Sequence, residues 1–150
     1  MRRAVATVLV PLGPSEALTL WADVDRWPSF VEGYARRLEL APEWPGVGAR
    51  VVWESRPGGR GRVTETVTAN APDRFATQVF EEALMGVQTL RVVPASDGSE
   101  LELSLEYELV KYGPLGGVAD ALFIRRALRD ALRRTLARFR IEAEEDAGLR

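Results

Sequence analysis

The fold is decided by two neighbouring stretches, ELELSLEYELV at residues 100–110 and VADALFIRRALRDALRRTLARFRIEAEE at residues 118–145. In the first, leucine and tyrosine alternate with glutamate and serine, which is the period-two pattern of a strand with one buried face. In the second, apolar residues recur at spacings of three and four, which predicts one long amphipathic helix. A proline and three glycines at residues 111–117 separate the two. This part of the chain therefore predicts a half-buried strand followed by a helix with an apolar face.

Further strand-like and helix-like regions lie N-terminal to these stretches. Apolar and β-branched runs bounded by turn residues predict five strands, at residues 36–40, 50–54, 62–68, 74–81 and 87–93. Another strand is predicted at residues 4–10. Two short helices follow that first strand, one at residues 16–22 with Ser15 as its N-cap and one at residues 25–30.

The order of these elements predicts the architecture. Consecutive strands joined by tight turns form an antiparallel sheet, and the first strand can pair with the last. The predicted fold is α+β: a seven-stranded antiparallel sheet wrapped around a long C-terminal helix, with two short helices between strands 1 and 2. Space between a twisted sheet and such a helix is normally a ligand cavity. We expect one domain over residues 1–150, with a polar, frayed tail at residues 142–150.

Composition excludes several kinds of chemistry. The chain has no cysteine and no histidine, which excludes disulfide scaffolds, zinc sites, thiol nucleophiles and Ser-His-Asp catalysis. Calcium loops built from carboxylates are also missing, so we expect neither a metal nor a cofactor. The net charge of −2 argues against nucleic acid as a partner.

Membrane and export signals are weak. No apolar stretch approaches the roughly 20 residues that a membrane span needs. Pro11 and Pro14 interrupt the apolar start of the chain too early for a signal peptide. We expect a cytoplasmic protein, either a monomer or a homodimer, whose partner is a hydrophobic small molecule.

Three short patches resemble a known superfamily. Trp27-Pro28-Ser29-Phe30 is similar to its Trp-Pro-x-Phe segment, and Gly61-Arg62-Val63-Thr64-Glu65 resembles its Gly-x-Val-x-Glu strand start. Gly98-Ser99-Glu100-Leu101 resembles the turn into its last strand, with serine in place of the usual threonine. The layout resembles the helix-grip fold of the START/Bet v1-like (SRPBCC) superfamily, in particular its polyketide cyclase/dehydrase and lipid-transport-like group. The resemblance implies the fold but no single activity, because the superfamily includes carriers, cyclases, hydrolases and sensors.

Polar residues on apolar strand faces are the first candidates for a ligand site. Glu65 shares a face with Val63 and Val67, and Tyr107 shares one with Leu105 and Leu109. If these faces line the cavity, Glu65 or Tyr107 can serve as an acid, a base or a hydrogen-bond partner. In the alternative register, shifted by one residue, Glu65 lies in solvent or pairs with Arg62 or Arg74. Thr77 and Gln88 are weaker candidates of the same kind.

Large apolar residues complete the predicted ligand-binding set. Trp27, Phe30 and Trp53 are expected at the cavity mouth, against the alternative that they only pack the core. Leu105, Leu128 and Leu132 are expected to face the ligand from the last strand and the long helix. The segment Pro57-Gly58-Gly59-Arg60-Gly61 predicts a hairpin turn, because it has no phosphate-binding spacing.

Three functions are compatible with this set. The leading hypothesis is binding or transport of a lipid, isoprenoid or polyketide-like molecule. The second is a cyclase, dehydratase or hydrolase that uses Glu65 or Tyr107. The third is an interaction module, or weak contact with an anionic membrane, through Arg126, Arg129, Arg133 and Arg140 on one flank of the long helix. Residues 112–117 and 27–34 are the expected gate of the cavity.

Overall fold

A computed structural model of the chain describes residues 1–110 and 117–149. Each predicted helix and strand is present in this part, although most boundaries differ by a few residues. In chain order, the elements are β1 (Arg2–Val10), α1 (Pro14–Ala22), a 3₁₀ turn (Val24–Arg26), α2 (Trp27–Phe30), β2 (Tyr34–Leu40), β3 (Arg50–Ser55), β4 (Arg62–Ala71), β5 (Arg74–Phe80), β6 (Leu84–Ala95), β7 (Gly98–Leu109) and α3 (Gly117–Asp146).

The seven strands form one antiparallel sheet in the order β1-β7-β6-β5-β4-β3-β2. This confirms the predicted fold class and the pairing of the first strand with the last. The alternating sequence of β7 sets its register in this sheet. Leu101, Leu103 and Leu105 are buried, whereas Glu106 and Glu108 are exposed. A one-residue shift would bury the glutamates instead, so the pattern itself fixes the register.

The long helix covers the apolar face of the sheet. Leu132, Leu136, Phe139 and Ala143 are buried and recur at helical spacing on one side of α3. They join residues of all seven strands, and the buried aromatics of α1 and α2, in one apolar core. Burial on one face of a sheet and one face of a helix is what holds the two layers together.

The prediction of a frayed tail at residues 142–150 is wrong for the first half of that segment. α3 continues to Asp146 because this last turn has partners. Ala143 is fully buried, and the Arg26 guanidinium donates to Glu142 at 2.7 Å and to Asp146 at 2.9 Å. The 3₁₀ turn is thereby tied to the end of the helix.

The start of α1 also differs from the prediction. Gly13, rather than Ser15, is the N-cap, and no side chain caps the helix. Pro14 occupies the first helical position, where its fixed φ suits a helix and its missing N–H costs nothing. The second predicted helix, at residues 25–30, is divided between the 3₁₀ turn and α2.

One of the three patches that resemble the superfamily has a structural role. Gly98 has a φ of 151°, and a Cβ placed there would lie 2.0 Å from the Val10 carbonyl oxygen. Only glycine fits such a close approach. The neighbouring Ser99 is buried and donates its hydroxyl to the Leu12 carbonyl at 2.7 Å. The patch therefore joins the start of β7 to the end of β1.

The strand order places the loops at two ends of the sheet. Turns of an antiparallel meander alternate between ends. The connections at residues 31–33, 56–61 and 81–83 therefore share one end with the start of α3, which we call the upper end. The connections at residues 41–49 and 72–73 lie at the lower end.

None of the helices in these described ranges combines the length and the apolarity that crossing a bilayer requires.

Candidate functional site

A partly enclosed cavity of about 210 Å³ lies between the sheet and α3 at the upper end. Strands β3, β4, β6 and β7 form one wall, and the two short helices, the residue 31–33 connection and α3 form the other. Most of the surface is apolar. The lining residues are Trp21, Trp27, Val31, Glu32, Gly33, Trp53, Ser55, Gly59, Arg60, Glu65, Gln88, Leu103, Leu105, Leu128, Ala131, Leu132 and Thr135.

Glu65 is the polar centre of this cavity. It lies on β4 between two fully buried valines and is itself 5% exposed. Its carboxylate accepts a hydrogen bond from Trp53 Nε1 at 2.8 Å and another from Thr77 Oγ1 at 2.9 Å. The inward register is therefore confirmed. The alternative, in which Glu65 is in solvent or pairs with Arg62 or Arg74, is wrong.

The sheet register explains why these three side chains meet. Val51 lies opposite Glu65 on β3, and Trp53 lies two residues further along on the same face. On the other side, Val79 lies opposite Glu65 on β5, two residues from Thr77. Diagonal neighbours of this kind are within reach of long side chains. Each donor is twelve residues away in sequence, in opposite directions.

A second charged group of the cavity is neutralised by its own partner. Arg60 lies over the Trp53 ring, with its guanidinium carbon 5.1 Å from the ring centroid. The Nε of Arg60 donates to the Glu81 carboxylate, whose side chain is only 5% exposed. The positive charge of Arg60 is therefore compensated by Glu81 and by the Trp53 ring, and not by the Glu65 carboxylate.

The third charged group is Glu32, at the rim where α2 leads into β2. Its carboxylate accepts hydrogen bonds from Arg134 at 3.0 Å and from Arg138 at 2.5 Å. Its backbone N–H donates to Thr135 Oγ1 at 3.0 Å. These bonds attach the rim of the cavity to α3.

Aromatic rings form the frame of the cavity. Trp53 packs against Tyr34 with centroids 5.3 Å apart, and Tyr34 packs edge-on against Trp27 at 6.3 Å. The indole N–H of Trp27 donates to the Trp21 carbonyl at 2.8 Å. Burial raises the pKa of the Tyr34 phenol. Rings locked in this way give the cavity a fixed wall.

Seven of the ten residues predicted from the sequence to contact a ligand lie on this cavity wall. They are Trp27, Trp53, Glu65, Gln88, Leu105, Leu128 and Leu132. The cavity places them together, although they come from six different elements. Their contact with a ligand stays a prediction.

Phe30, Thr77 and Tyr107 are not on the wall. Phe30 is fully buried against Trp21 and Phe139, with centroids 5.6 and 5.1 Å away. Phe30 therefore belongs to the core, which agrees with the alternative prediction that these aromatic residues only pack the core. Thr77 is buried and donates to Glu65, which does line the cavity.

Tyr107 is buried and is not among the residues that line the cavity. It is 0% exposed, and its hydroxyl has no hydrogen-bond partner among residues 1–110 and 117–149. Burial raises the pKa of the Tyr107 phenol, while the charges of Arg125 and Arg2 oppose that shift. The phenol is not on this wall, and an acid or base role for it stays a prediction.

Several wall residues were not predicted. Gly59 and Arg60 belong to the segment that the sequence identified only as a hairpin turn, and Ser55 lies just before that segment. Thr135 gave one signal that could have been used, because it is a polar residue within the apolar stripe of α3. Ala131 gave no such signal, because it contributes to the cavity only by having a small side chain that leaves space open.

The arginines of α3 do not form one uniform flank. Arg126, Arg133 and Arg140 are exposed. Arg129 is half-buried, and its buried Nε has no hydrogen-bond partner within the described part of the chain. The gate expected at residues 112–117 lies outside the described residues except for Gly117, which begins α3. In the other expected gate segment, Trp27, Phe30 and Tyr34 are buried.

A wider and more open cleft of about 760 Å³ lies at the lower end, between α1 and the loops at residues 41–49 and 72–73. Its carboxylates are exposed and already bonded: Asp23 caps the 3₁₀ turn and Asp25 pairs with Arg37 at 3.3 Å. The smaller cavity under α3 is the better candidate site, because it is more enclosed and its carboxylate is buried. Neither site includes a metal cluster, since no three acidic residues converge in the described ranges.

Comparison with known proteins agrees with the fold. A family model described as polyketide cyclase/dehydrase and lipid transport matches residues 1–144. None of the curated proteins matches the sequence. Among solved structures, the protein TTHA0849 from Thermus thermophilus is 17% identical with a TM-score of 0.80, over 97% of this chain and 99% of that one.

Two further structures have the same fold. A START superfamily protein from Mycobacterium smegmatis is 15% identical with a TM-score of 0.78, over 95% of this chain and 97% of that one. The di-domain ARO/CYC StfQ from the steffimycin biosynthetic pathway is 18% identical with a TM-score of 0.78. The match covers 97% of this chain and 51% of StfQ, so this chain spans about half the length of that two-domain protein.

Proposed function

Since this chain belongs to the polyketide cyclase/dehydrase and lipid transport family, we propose that it binds a compact hydrophobic or amphipathic small molecule in the cavity under α3. The observation that carries the proposal is an apolar, partly enclosed cavity with one buried carboxylate, Glu65, in its wall. Apolar walls supply the binding free energy, and a single polar group sets the orientation of the ligand.

The size of the cavity narrows the class of ligand. A volume of about 210 Å³ is smaller than the roughly 300–1,000 Å³ that encloses a drug-sized molecule. A small aromatic or isoprenoid compound therefore fits this space better than a long acyl chain. The ligand enters at the upper end, where the connections at residues 31–33 and 56–61 border the cavity.

The test is a binding experiment with the neutral apolar dye N-phenyl-1-naphthylamine, whose fluorescence rises in an apolar environment. We expect saturable binding at about one dye per chain, with a negative heat-capacity change because apolar surface is buried. Ala131→Phe should abolish binding, since the added ring fills the cavity. Ala137→Phe is the matched control, because Ala137 is exposed on the same helix.

Two outcomes contradict the proposal. One is no saturable binding of the dye to the folded protein. The other is equal binding by the Ala131→Phe and Ala137→Phe variants, which would locate the dye somewhere other than the cavity.

A second candidate function is favoured by the same carboxylate. A buried Glu65 next to a bound polyketone can accept a proton from a carbon between two carbonyls, which begins an aldol cyclisation. StfQ, which shares the fold, is described as an ARO/CYC protein of a biosynthetic pathway. The candidate predicts a loss of turnover of at least about a hundredfold in Glu65→Gln, with substrate still bound.

Binding without catalysis is the better supported of the two. Cyclisation with loss of water needs a group that returns a proton to oxygen. Among the described wall residues near Glu65, Gln88 and Ser55 are not acids, and Arg60 is held by Glu81. Tyr107, the other acid considered from the sequence, is not among the lining residues of the cavity.

A further inference from the structure

Glu65 forms no ion pair with any residue that the structure describes, although it is 5% exposed. Its hydrogen bonds come from an indole N–H and a hydroxyl, and both donors are neutral. A buried carboxylate without a counter-charge is costly. When this carboxylate is ionised, it places on the cavity wall a negative charge that no described residue compensates.

The nearby cations are already bound elsewhere. Arg60 lines the cavity but is held by the buried Glu81 carboxylate. Arg134 and Arg138 both donate to Glu32 at the rim. Moving Arg60 to Glu65 would take it from the buried Glu81, and Arg134 or Arg138 could reach Glu65 only by giving up its bond to Glu32. In this structure, none of the three pairs with Glu65.

Glu65 also has spare capacity for hydrogen bonds. An ionised carboxylate has about four acceptor positions, and the described donors occupy two. Gln88 lies on the same wall, directly across from Thr77 in the sheet. Its side-chain amide has no hydrogen-bond partner among the described residues. Gln88 therefore offers a carbonyl oxygen as a second acceptor on the same wall.

We propose that the ligand of this cavity is an amphipathic cation, with a compact apolar or aromatic body and a protonated amine that binds Glu65. The inference rests on the proposed function and adds the chemical class of the ligand. An ammonium group supplies the missing counter-charge and up to three donors. The apolar wall formed by Leu105, Leu128 and Leu132 then receives the body of the molecule.

The experiment compares three compounds that share one ring system: 1-naphthylmethylamine, 1-naphthylmethanol and 1-naphthoate. Affinities are measured by isothermal titration calorimetry at about pH 7.5, where an alkyl ammonium is fully protonated. We expect the amine to bind about 10- to 100-fold more tightly than the alcohol, since it adds a charge-assisted hydrogen bond in a buried site. The anionic naphthoate should bind most weakly.

Variants assign the preference to Glu65. Glu65→Gln should reduce the preference for the amine over the alcohol to less than about threefold, because the shape is kept and the charge is lost. Glu106→Gln is the matched control: the same change on the exposed face of β7 should leave the ratio at the wild-type value. Ala131→Phe should prevent the binding of both compounds, which locates the preference in the cavity.

The outcomes separate the two proposals. Equal affinity of wild type for amine and alcohol overturns the inference, and so does an unchanged amine preference in folded Glu65→Gln. If that variant does not fold, the wild-type comparison together with Ala131→Phe decides. Binding of the neutral dye without an amine preference refutes only the ligand class. If neither the dye nor any naphthalene compound binds, the proposed function itself fails.

Discussion

Replacing Thr77 with valine tests whether the buried carboxylate depends on its two neutral donors. Thr77 is 3% exposed, and its hydroxyl donates to Glu65 at 2.9 Å. Valine has nearly the same shape, so the substitution opens no large cavity. What it removes is one hydrogen bond to a charged group, and it leaves Glu65 with Trp53 as its single donor among the described residues.

The expected magnitude follows from that single loss. A hydrogen bond to a charged group contributes about 1.5–3 kcal/mol to stability. In a domain of about this size, each kcal/mol corresponds to roughly 2–4 °C in Tm. Thr77→Val should therefore lower the free energy of unfolding by about 1.5–3 kcal/mol and Tm by about 3–12 °C.

Urea and thermal unfolding, followed by circular dichroism, measure this change. Thr68→Val is the matched control, because Thr68 is exposed on β4 and its loss should cost no more than about 0.5 kcal/mol. A double-mutant cycle with Glu65→Gln should give a coupling energy of about 1 kcal/mol or more. A Thr77→Val variant as stable as wild type, or a cost that is the same in the Glu65→Gln background, would refute the reasoning.

Three further perturbations test the fold around the site. Gly98→Ala should lower stability by at least about 2 kcal/mol in urea unfolding, since a Cβ would meet the Val10 carbonyl at 2.0 Å and the φ is strained; an unchanged midpoint contradicts this. Arg26→Met should speed amide hydrogen exchange several-fold at residues 142–146, which Arg26 holds, and equal protection in the variant would show that the contact does not stabilise the last turn. Burial raises the pKa of Tyr107, so the stability that this phenol contributes is complete below about pH 10 and is lost as pH rises through its folded-state pKa. The urea midpoint of the wild type should therefore fall above that pH, and it should fall less steeply in Tyr107→Phe. Parallel pH profiles of the two proteins would contradict the assignment.

Local pattern predicted the elements better than their ends. The alternation in residues 100–110 depends only on neighbours in sequence, and it predicted both the strand and its buried face. The end of α3 depends instead on Arg26, more than a hundred residues away, and so the prediction of a frayed tail was wrong for its first half. β6 runs over Leu84–Ala95, beyond the predicted residues 87–93, because β7 offers partners along that whole length.

The candidate site was only partly predicted, because local sequence patterns do not show contacts between residues that are remote in sequence. Glu65 was identified as a candidate because it lies between two valines on one strand face, but the sequence left open whether that face points inward. Phe30 was misplaced because an aromatic residue in a short helix gives no sign of whether it faces the core or a cavity. Arg60 was missed because a glycine-rich segment predicts only a turn. The contact of Arg60 with Trp53 forms only when the hairpin folds over the ring.

The sequence by itself determined the order of strands and helices and the buried faces of β7 and α3, because these follow from periods of 2 and 3.6 residues along the chain. Tertiary structure alone decided that Glu65 points inward, where Trp53 and Thr77 donate to it, and that Tyr107 is not among the lining residues of the cavity. It also decided that about 210 Å³ stays open beneath α3. These features depend on how strands are aligned and where the helix lies above them. Hydrogen bonds and cavities are set by distances between residues remote in sequence, and no local pattern encodes such a distance.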